Sequence, residues 1–196
     1  MILQKNLTPY SVCLSVMGVY MLFLIPGCAS TPTWPMENIG TAQFSGHVPD
    51  LGNLLIVPTS DTRSACRKAA AACRAFAENL AHAININSQA SAYLTVNYES
   101  MSVSYENEKM VENEIDRVKA QYLLVWEIGI IDDRKAFSFG PDAISISTLK
   151  IINITSNATD VQLLKPYGLI NPNSEDFVQV ARELGSRLGR YLASHL

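Results

Sequence analysis

The sequence predicts a single α/β domain, a mixed β-sheet of about five strands covered by three helices, in the order β-α-β-α-β-β-β-α. Three observations predict it. Short apolar or β-branched runs alternate with helix-period segments from Asn53 to Tyr122. The run "YLLVWEIGII" (122–131) is apolar almost throughout, as in a central strand buried on both faces. Beyond it the pattern changes to consecutive strands and then closes on one amphipathic helix.

The elements follow in order. "NLLIVP" (53–58) is an apolar run closed by Pro58 and suits a buried strand. Residues 60–83 are alanine-rich, with Ser60 or Asp61 near the N-cap, and form the first helix. "AYLTVNYE" (92–99) alternates and is rich in aromatic and β-branched residues, which makes it a strand. Residues 105–121 place Val111, Ile115, Val118 and Tyr122 on one face and charges elsewhere, a surface helix. Charges, glycine and proline break the chain over 132–142, and "AISISTLKIINI" (143–154) alternates again. "TSNAT" (155–159) is a turn, and 160–170 is a last strand interrupted at Pro166, which places it near an edge. The closing helix (173–196) has Asn173 or Ser174 as cap, Glu175 and Asp176 in its first turn, and the stripe Phe177, Val180, Leu184, Leu188 and Tyr191.

Ahead of this domain, one cation (Lys5) precedes the uncharged stretch Tyr10–Ile25. That stretch is about 16 residues, shorter than the roughly 20 of a spanning helix, and has the layout of a secretory signal. Ile25-Pro26-Gly27-Cys28 resembles a bacterial lipobox. The resemblance implies that Cys28 receives a diacylglyceryl group and becomes the first residue of the mature chain. No aspartate follows it in Ala29-Ser30, which by the same resemblance implies sorting to the outer membrane, facing the periplasm. The domain organisation expected is a signal peptide (1–27), the lipidated cysteine with a flexible tether (28–52), and a periplasmic α/β domain (53–196). The tether carries three prolines, three glycines and no periodicity, and its expected span is about 25–30 Å. Trp34 and Phe44 within it are either incidental loop residues or docking points.

Once Cys13 has left with the signal and Cys28 is acylated, Cys66 and Cys73 remain. An oxidising compartment invites a bridge. In a continuous helix, however, the two lie about 10.5 Å apart, beyond the roughly 7 Å that a disulfide tolerates. Cys66, Ala69, Cys73, Phe76, Leu80 and Ala83 also share one apolar stripe. The pair is therefore expected as buried thiols, unless the helix start unwinds to join them.

With Lys5 removed, the mature chain has a net charge of about −4 and no basic cluster interleaved with aromatics. This excludes nucleic acid as partner and polybasic attraction to lipid.

The element order behind a lipobox is similar to the TolB N-terminal type of α/β domain, also found in the lipoprotein activators of penicillin-binding proteins. It also resembles a family of small bacterial lipoproteins of unknown function. The residues that carry this are Tyr122-Leu123-Leu124-Val125, Asp132-Asp133-Arg134, Gly140-Pro141-Asp142 and Ile144-Ser145-Ile146. The resemblance implies fold and location and brings no catalytic residue.

Hydrolase elbows, paired metal histidines, phosphate loops and dinucleotide fingerprints are all missing from the sequence. His47, His82 and His195 are too dispersed for one metal site, and the last two suit helix C-termini. The polar constellation of interest is Asp132, Asp133 and Arg134 facing Asp142 across a hairpin turn, either an interaction site or a charged turn. Glu127 stands inside an apolar strand, where a carboxylate must be paired, neutralised or turned toward an edge. Ala181, Gly185 and Gly189 form a small-residue stripe that packs on the domain's own sheet or on another chain. The expected function is a non-enzymatic, lipid-anchored interaction or regulatory module with an envelope protein partner, no cofactor and no metal. The alternative is a small-molecule or lipid carrier, which requires an apolar cavity.

Overall fold

Eight strands and four helices make up the described part of the chain, in a computed structural model that describes residues 36–49, 52–67, 69–95, 104–131, 142–171 and 177–196. In chain order they are β1 (Glu37–Ile39), β2 (Phe44–Gly46), β3 (Asn53–Pro58), α1 (Ser60–Cys66), α2 (Ala70–Asn87), β4 (Ser91–Leu94), α3 (Glu108–Val118), β5 (Tyr122–Ile131), β6 (Asp142–Asn153), β7 (Thr159–Leu163), β8 (Tyr167–Asn171) and α4 (Phe177–Ala193). The α/β class stands as expected, but from Asn53 onward the chain has one more helix and one more strand than expected, and the sheet is larger.

The sheet runs β1-β8-β6-β5-β3-β4, with β7 paired to β6 and β2. β4, β3 and β5 are parallel, and β5, β6, β7 and β8 pair antiparallel. Strand alternation sorts the side chains into two cores. Leu54, Ile56, Tyr122, Leu124, Trp126, Ile146 and Ile151 face α2 and α4, whereas Leu55, Val57, Leu123 and Val125 face Val111 and Val118 of α3. The near-continuous apolar run of β5 is explained by helices on both sides of it.

Three expectations change. The segment 28–52 is not irregular throughout, because β1 and β2 lie within it. Three residues are too few to show a period. Their pairing is tertiary, β1 antiparallel to β8 and β2 to β7. Pro166 breaks the last strand as expected, giving β7 and β8 on successive stretches of one side of β6. The resulting edge is not open, since β1 and β2 cover it. The helix expected over 60–83 is two helices. Thr59 caps α1 through its side chain, accepting from the Thr62 N–H (3.3 Å). α1 ends at Cys66, and Ala69 leaves helical geometry (φ −132°, ψ 43°) before α2 begins.

That break brings the Cα atoms of Cys66 and Cys73 to 5.8 Å, and the two are joined as a disulfide. The buried-thiol expectation fails because it assumed one straight helix. The bridge closes a loop of about eight residues, for which chain entropy gives roughly 2–3 kcal/mol. Replacing both cysteines with alanine is expected to lower the unfolding free energy by that amount, read as a shift in urea midpoint.

The opposite edge, β4, is blocked by side chains. The Asn85 amide both accepts from the Ala92 N–H (2.7 Å) and donates to its carbonyl (3.2 Å), while Arg117 donates to the Leu94 carbonyl (2.9 Å). Such plugging prevents strand addition.

Candidate functional site

In open α/β sheets, ligands sit outside the carboxyl ends of strands where neighbouring connections leave for opposite faces. Here those strands are β3, followed by α1 and α2 on one face, and β4, followed by α3 on the other. An open cleft of ≈ 390 Å³ lies at that point, lined by Ser60, Arg63, Ser104, Glu106, Asn107 and Glu108. The chain fills its best donor itself. Glu106 Oε2 accepts from the Ser60 N–H (2.8 Å), and the Tyr105 N–H donates to the Pro58 carbonyl (2.9 Å). Among the described residues no group of three or more side chains is suited to holding a metal.

A second pocket lies elsewhere and is apolar. Ala72, Cys73, Phe76, Trp126, Ile146 and Ala181 line a space of ≈ 10 Å³, no more than one water molecule occupies. Trp126 is fully buried with its ring 4.7 Å from Phe76, and its Nε1 has no hydrogen-bond partner among the described residues.

Of the residues singled out from sequence, Cys28, Asp132, Asp133 and Arg134 lie outside the described residues. Asp142 opens β6 opposite Asn171, at the mouth of the β5–β6 hairpin. Glu127 pairs with Thr148 beside a register shift and is half-buried. It lies on the α3 face, beyond the Leu123 and Val125 that α3 covers, so the strand is less buried there than its composition suggests. The small-residue stripe packs on α2, not on the sheet. A Cβ on Gly185 would overlap the Phe76 carbonyl oxygen, and one on Gly189 would come within 2.5 Å of Ala83 Cβ. Helix proximity of this kind needs glycine.

The densest polar network was not legible in sequence. It binds residues 36–48, the strap that carries β1 and β2, onto α4 and the residues just after it. Asn38 Oδ1 accepts from Tyr167 OH (2.8 Å) and from Arg187 Nη1 (2.8 Å), and Arg187 is held in turn by Glu183 (2.7 Å). At the other end, His195 Nδ1 lies 2.8 Å from the Gly46 carbonyl, Val48 N–H donates to the His195 carbonyl (2.9 Å), and Phe44 packs 5.6 Å from the His195 ring. Phe44 is thus a docking point. Trp34 lies outside the described residues. No periodicity marks Asn38, and its partners are more than a hundred residues away.

Burial lifts the Tyr167 phenol above its ordinary value, with Tyr191 adding to it and Arg187 opposing. For Arg187, burial works against the charge, but Glu183 and Tyr167 keep it above the ordinary guanidinium value. Below pH about 10 the phenol is protonated in both states, so nothing is lost. Above that the unfolded phenol ionises first, and stability falls as pH rises through the raised folded value. Tyr167→Phe is expected to flatten this loss, measured as the change in urea midpoint between about pH 9 and 11.

No protein-family model and no curated protein matches the chain. Solved structures do. A PelC dodecamer of a variant protein from Paraburkholderia phytofirmans superposes with a TM-score of 0.56 at 13% identity, covering 79% of this chain and 99% of PelC. A second PelC dodecamer from the same organism gives 0.50 at 12% identity, covering 79% and 98%. The chain resembles PelC in fold. The superpositions span nearly all of PelC.

Proposed function

We propose that the chain is a lipid-anchored bacterial envelope lipoprotein of the outer membrane, facing the periplasm and acting as a non-enzymatic interaction module. The observation that carries this reading is Ile25-Pro26-Gly27-Cys28 at the end of the uncharged run Tyr10–Ile25. Among the described residues no helix is long and apolar enough to cross a membrane, so on this reading the acyl chains at Cys28 supply the anchor. Two or more chains, at about 0.8 kcal/mol per buried methylene, make such anchoring stable. The alternative reading, a small-molecule or lipid carrier, requires a few hundred Å³ of apolar space, and lipid co-purifying with the protein would favour it. PelC assembles as a dodecamer, which makes further copies of the chain the first partner to consider beside an unidentified envelope protein.

Cys28→Ser is expected to abolish palmitate incorporation and leave the unprocessed precursor. Unchanged labelling overturns the reading. Crosslinking of the tagged protein in cells, followed by mass spectrometry, then separates self-assembly from a second protein.

A further inference from the structure

The break between α1 and α2 has no origin in its own residues. From Ser60 to Asn87 the sequence holds neither glycine nor proline, and Arg67-Lys68-Ala69-Ala70-Ala71-Ala72 at the junction are strong helix formers. Neither helix end carries the usual stop or start signal. α2 starts from Ala69 with no side-chain cap. α1 closes at Arg67 in helical geometry (φ −57°, ψ −28°), without the left-handed residue that commonly ends a helix. Cys66, Ala69, Cys73, Phe76, Leu80 and Ala83 would stay on one face if the two helices ran on as one.

Two fastenings hold the break instead. One is the Cys66–Cys73 bridge, whose Cα separation of 5.8 Å is incompatible with the about 10.5 Å of a continuous helix. The other is the grip of α1 on the carboxyl end of β5. Thr59 N–H donates to the Trp126 carbonyl (3.0 Å), and Thr62 Oγ1 accepts from the Ile128 N–H (2.9 Å) at the register shift after Glu127. β3 ends at Pro58, so these two threonines continue the pairing that β3 gives β5 up to Trp126. Ser60 and Arg63 of the same helix line the open cleft beside Glu106.

We infer that the bridge is a redox-set conformational switch. Oxidised, it keeps α1 broken from α2 and seated on β5. Reduced, α2 extends back through residues 66–69, and Thr59 and Thr62 leave β5, because the single residue between β3 and α1 gives no slack for both. The open cleft is therefore complete only in the oxidised protein. Cys66 is fully buried and Cys73 is 3% exposed, so the switch is set as the chain folds and a folded molecule keeps its setting. The oxidant is a disulfide donor. One cysteine thiolate attacks the donor disulfide and releases one donor thiol; the other breaks the mixed disulfide and releases the second, so two electrons and two protons pass to the donor. None of this depends on the lipoprotein reading.

Amide exchange of the purified full chain tests it. The protein is unfolded in urea with dithiothreitol and refolded with either oxidised glutathione or dithiothreitol present. In the oxidised form the N–H groups of Ala70, Ala71 and Ala72 open α2 and have no partner within the helix. In the reduced form they are expected to gain at least about tenfold protection, while the Ile128 N–H loses protection by a similar factor. A double variant, Cys66→Ala with Cys73→Ala, is expected to show the reduced pattern under both conditions. Unchanged protection at 70–72 and at Ile128, in the reduced protein and in the variant, overturns the switch, since the grip on β5 then breaks the helix alone. Loss of protection throughout β3 and β6 in both overturns it as well, because the bridge then holds the whole core. Dithiothreitol is also expected to cleave the bridge at least about a hundredfold more slowly in the folded protein than in urea. Equal cleavage rates overturn a setting made at folding.

Discussion

Gly185→Leu is expected to destabilise the domain by at least about 3 kcal/mol, a large share of the roughly 5–15 kcal/mol a domain possesses. The reason is backbone, not side chain. A Cβ at this position would land on the carbonyl oxygen of Phe76 and approach the Leu80 N at 3.0 Å, so α2 and α4 have to part. Parting them opens the larger core, where Phe76, Leu80, Ile84, Val180, Leu184 and Leu188 are buried together. No rotamer relieves an overlap that begins at Cβ. Arg182→Leu, on the exposed side of α4, is expected to stay within about 0.5 kcal/mol. Urea midpoints of the two variants against the parent check both values.

Gly46→Val is expected to act just as decisively but locally. Gly46 has φ +86°, a conformation that side chains avoid, and a Cβ there would overlap the Asp160 carbonyl oxygen across the β2–β7 pair. Together the strain and the overlap cost more than three residue pairs return, so β2 detaches. With it go the Gly46 carbonyl contact to His195 and the docking of Phe44. The strap is bonded to α4 through Asn38 near one end and to His195, just beyond α4, near the other. Releasing one end is therefore expected to raise amide exchange over 36–48 by an order of magnitude or more, while β3 and β5 keep their protection. Loss of protection throughout the sheet would mean that the strap is integral to the core.

The sequence made the centre of this fold legible and its periphery much less so. β5 and β6 were readable because burial on both faces demands apolar residues and burial on one demands alternation. α3 was readable because a surface helix repeats its apolar residues at helical spacing. The stripe of α4 was right at Val180, Leu184 and Leu188. It failed at Tyr191, which is exposed while Leu192 is buried, because small residues let α2 lie close on the Ala181–Gly185–Gly189 side and turn the buried face. Cys66 and Cys73 were misread because periodicity across residues 60–83 cannot register a break of three residues. Glu127 looked buried because its neighbours in sequence are apolar, yet the helix that covers them ends short of it. Asn38, Tyr167, Arg187 and His195 carry no joint signal, since only the folded sheet brings them together. Of the polar hairpin, Asp132, Asp133 and Arg134 fall outside the described residues, and Asp142 pairs with Asn171 at the start of β6.

The strap has one more consequence, for the order in which the molecule assembles. Asn38 is 129 residues from Tyr167 and 149 from Arg187. A ribosome delivers a chain from its N-terminus, so β1 and β2 emerge first and find their partners last. β3 to β5 close through crossovers of a few tens of residues, and β6 to β8 through still shorter links, before the strap has anything to bind. Loop-closure entropy for so distant a contact is recovered only on a sheet that already exists. Attachment of the strap is thus a completion step, and a polypeptide truncated before β7 leaves residues 36–48 without either strand they pair with.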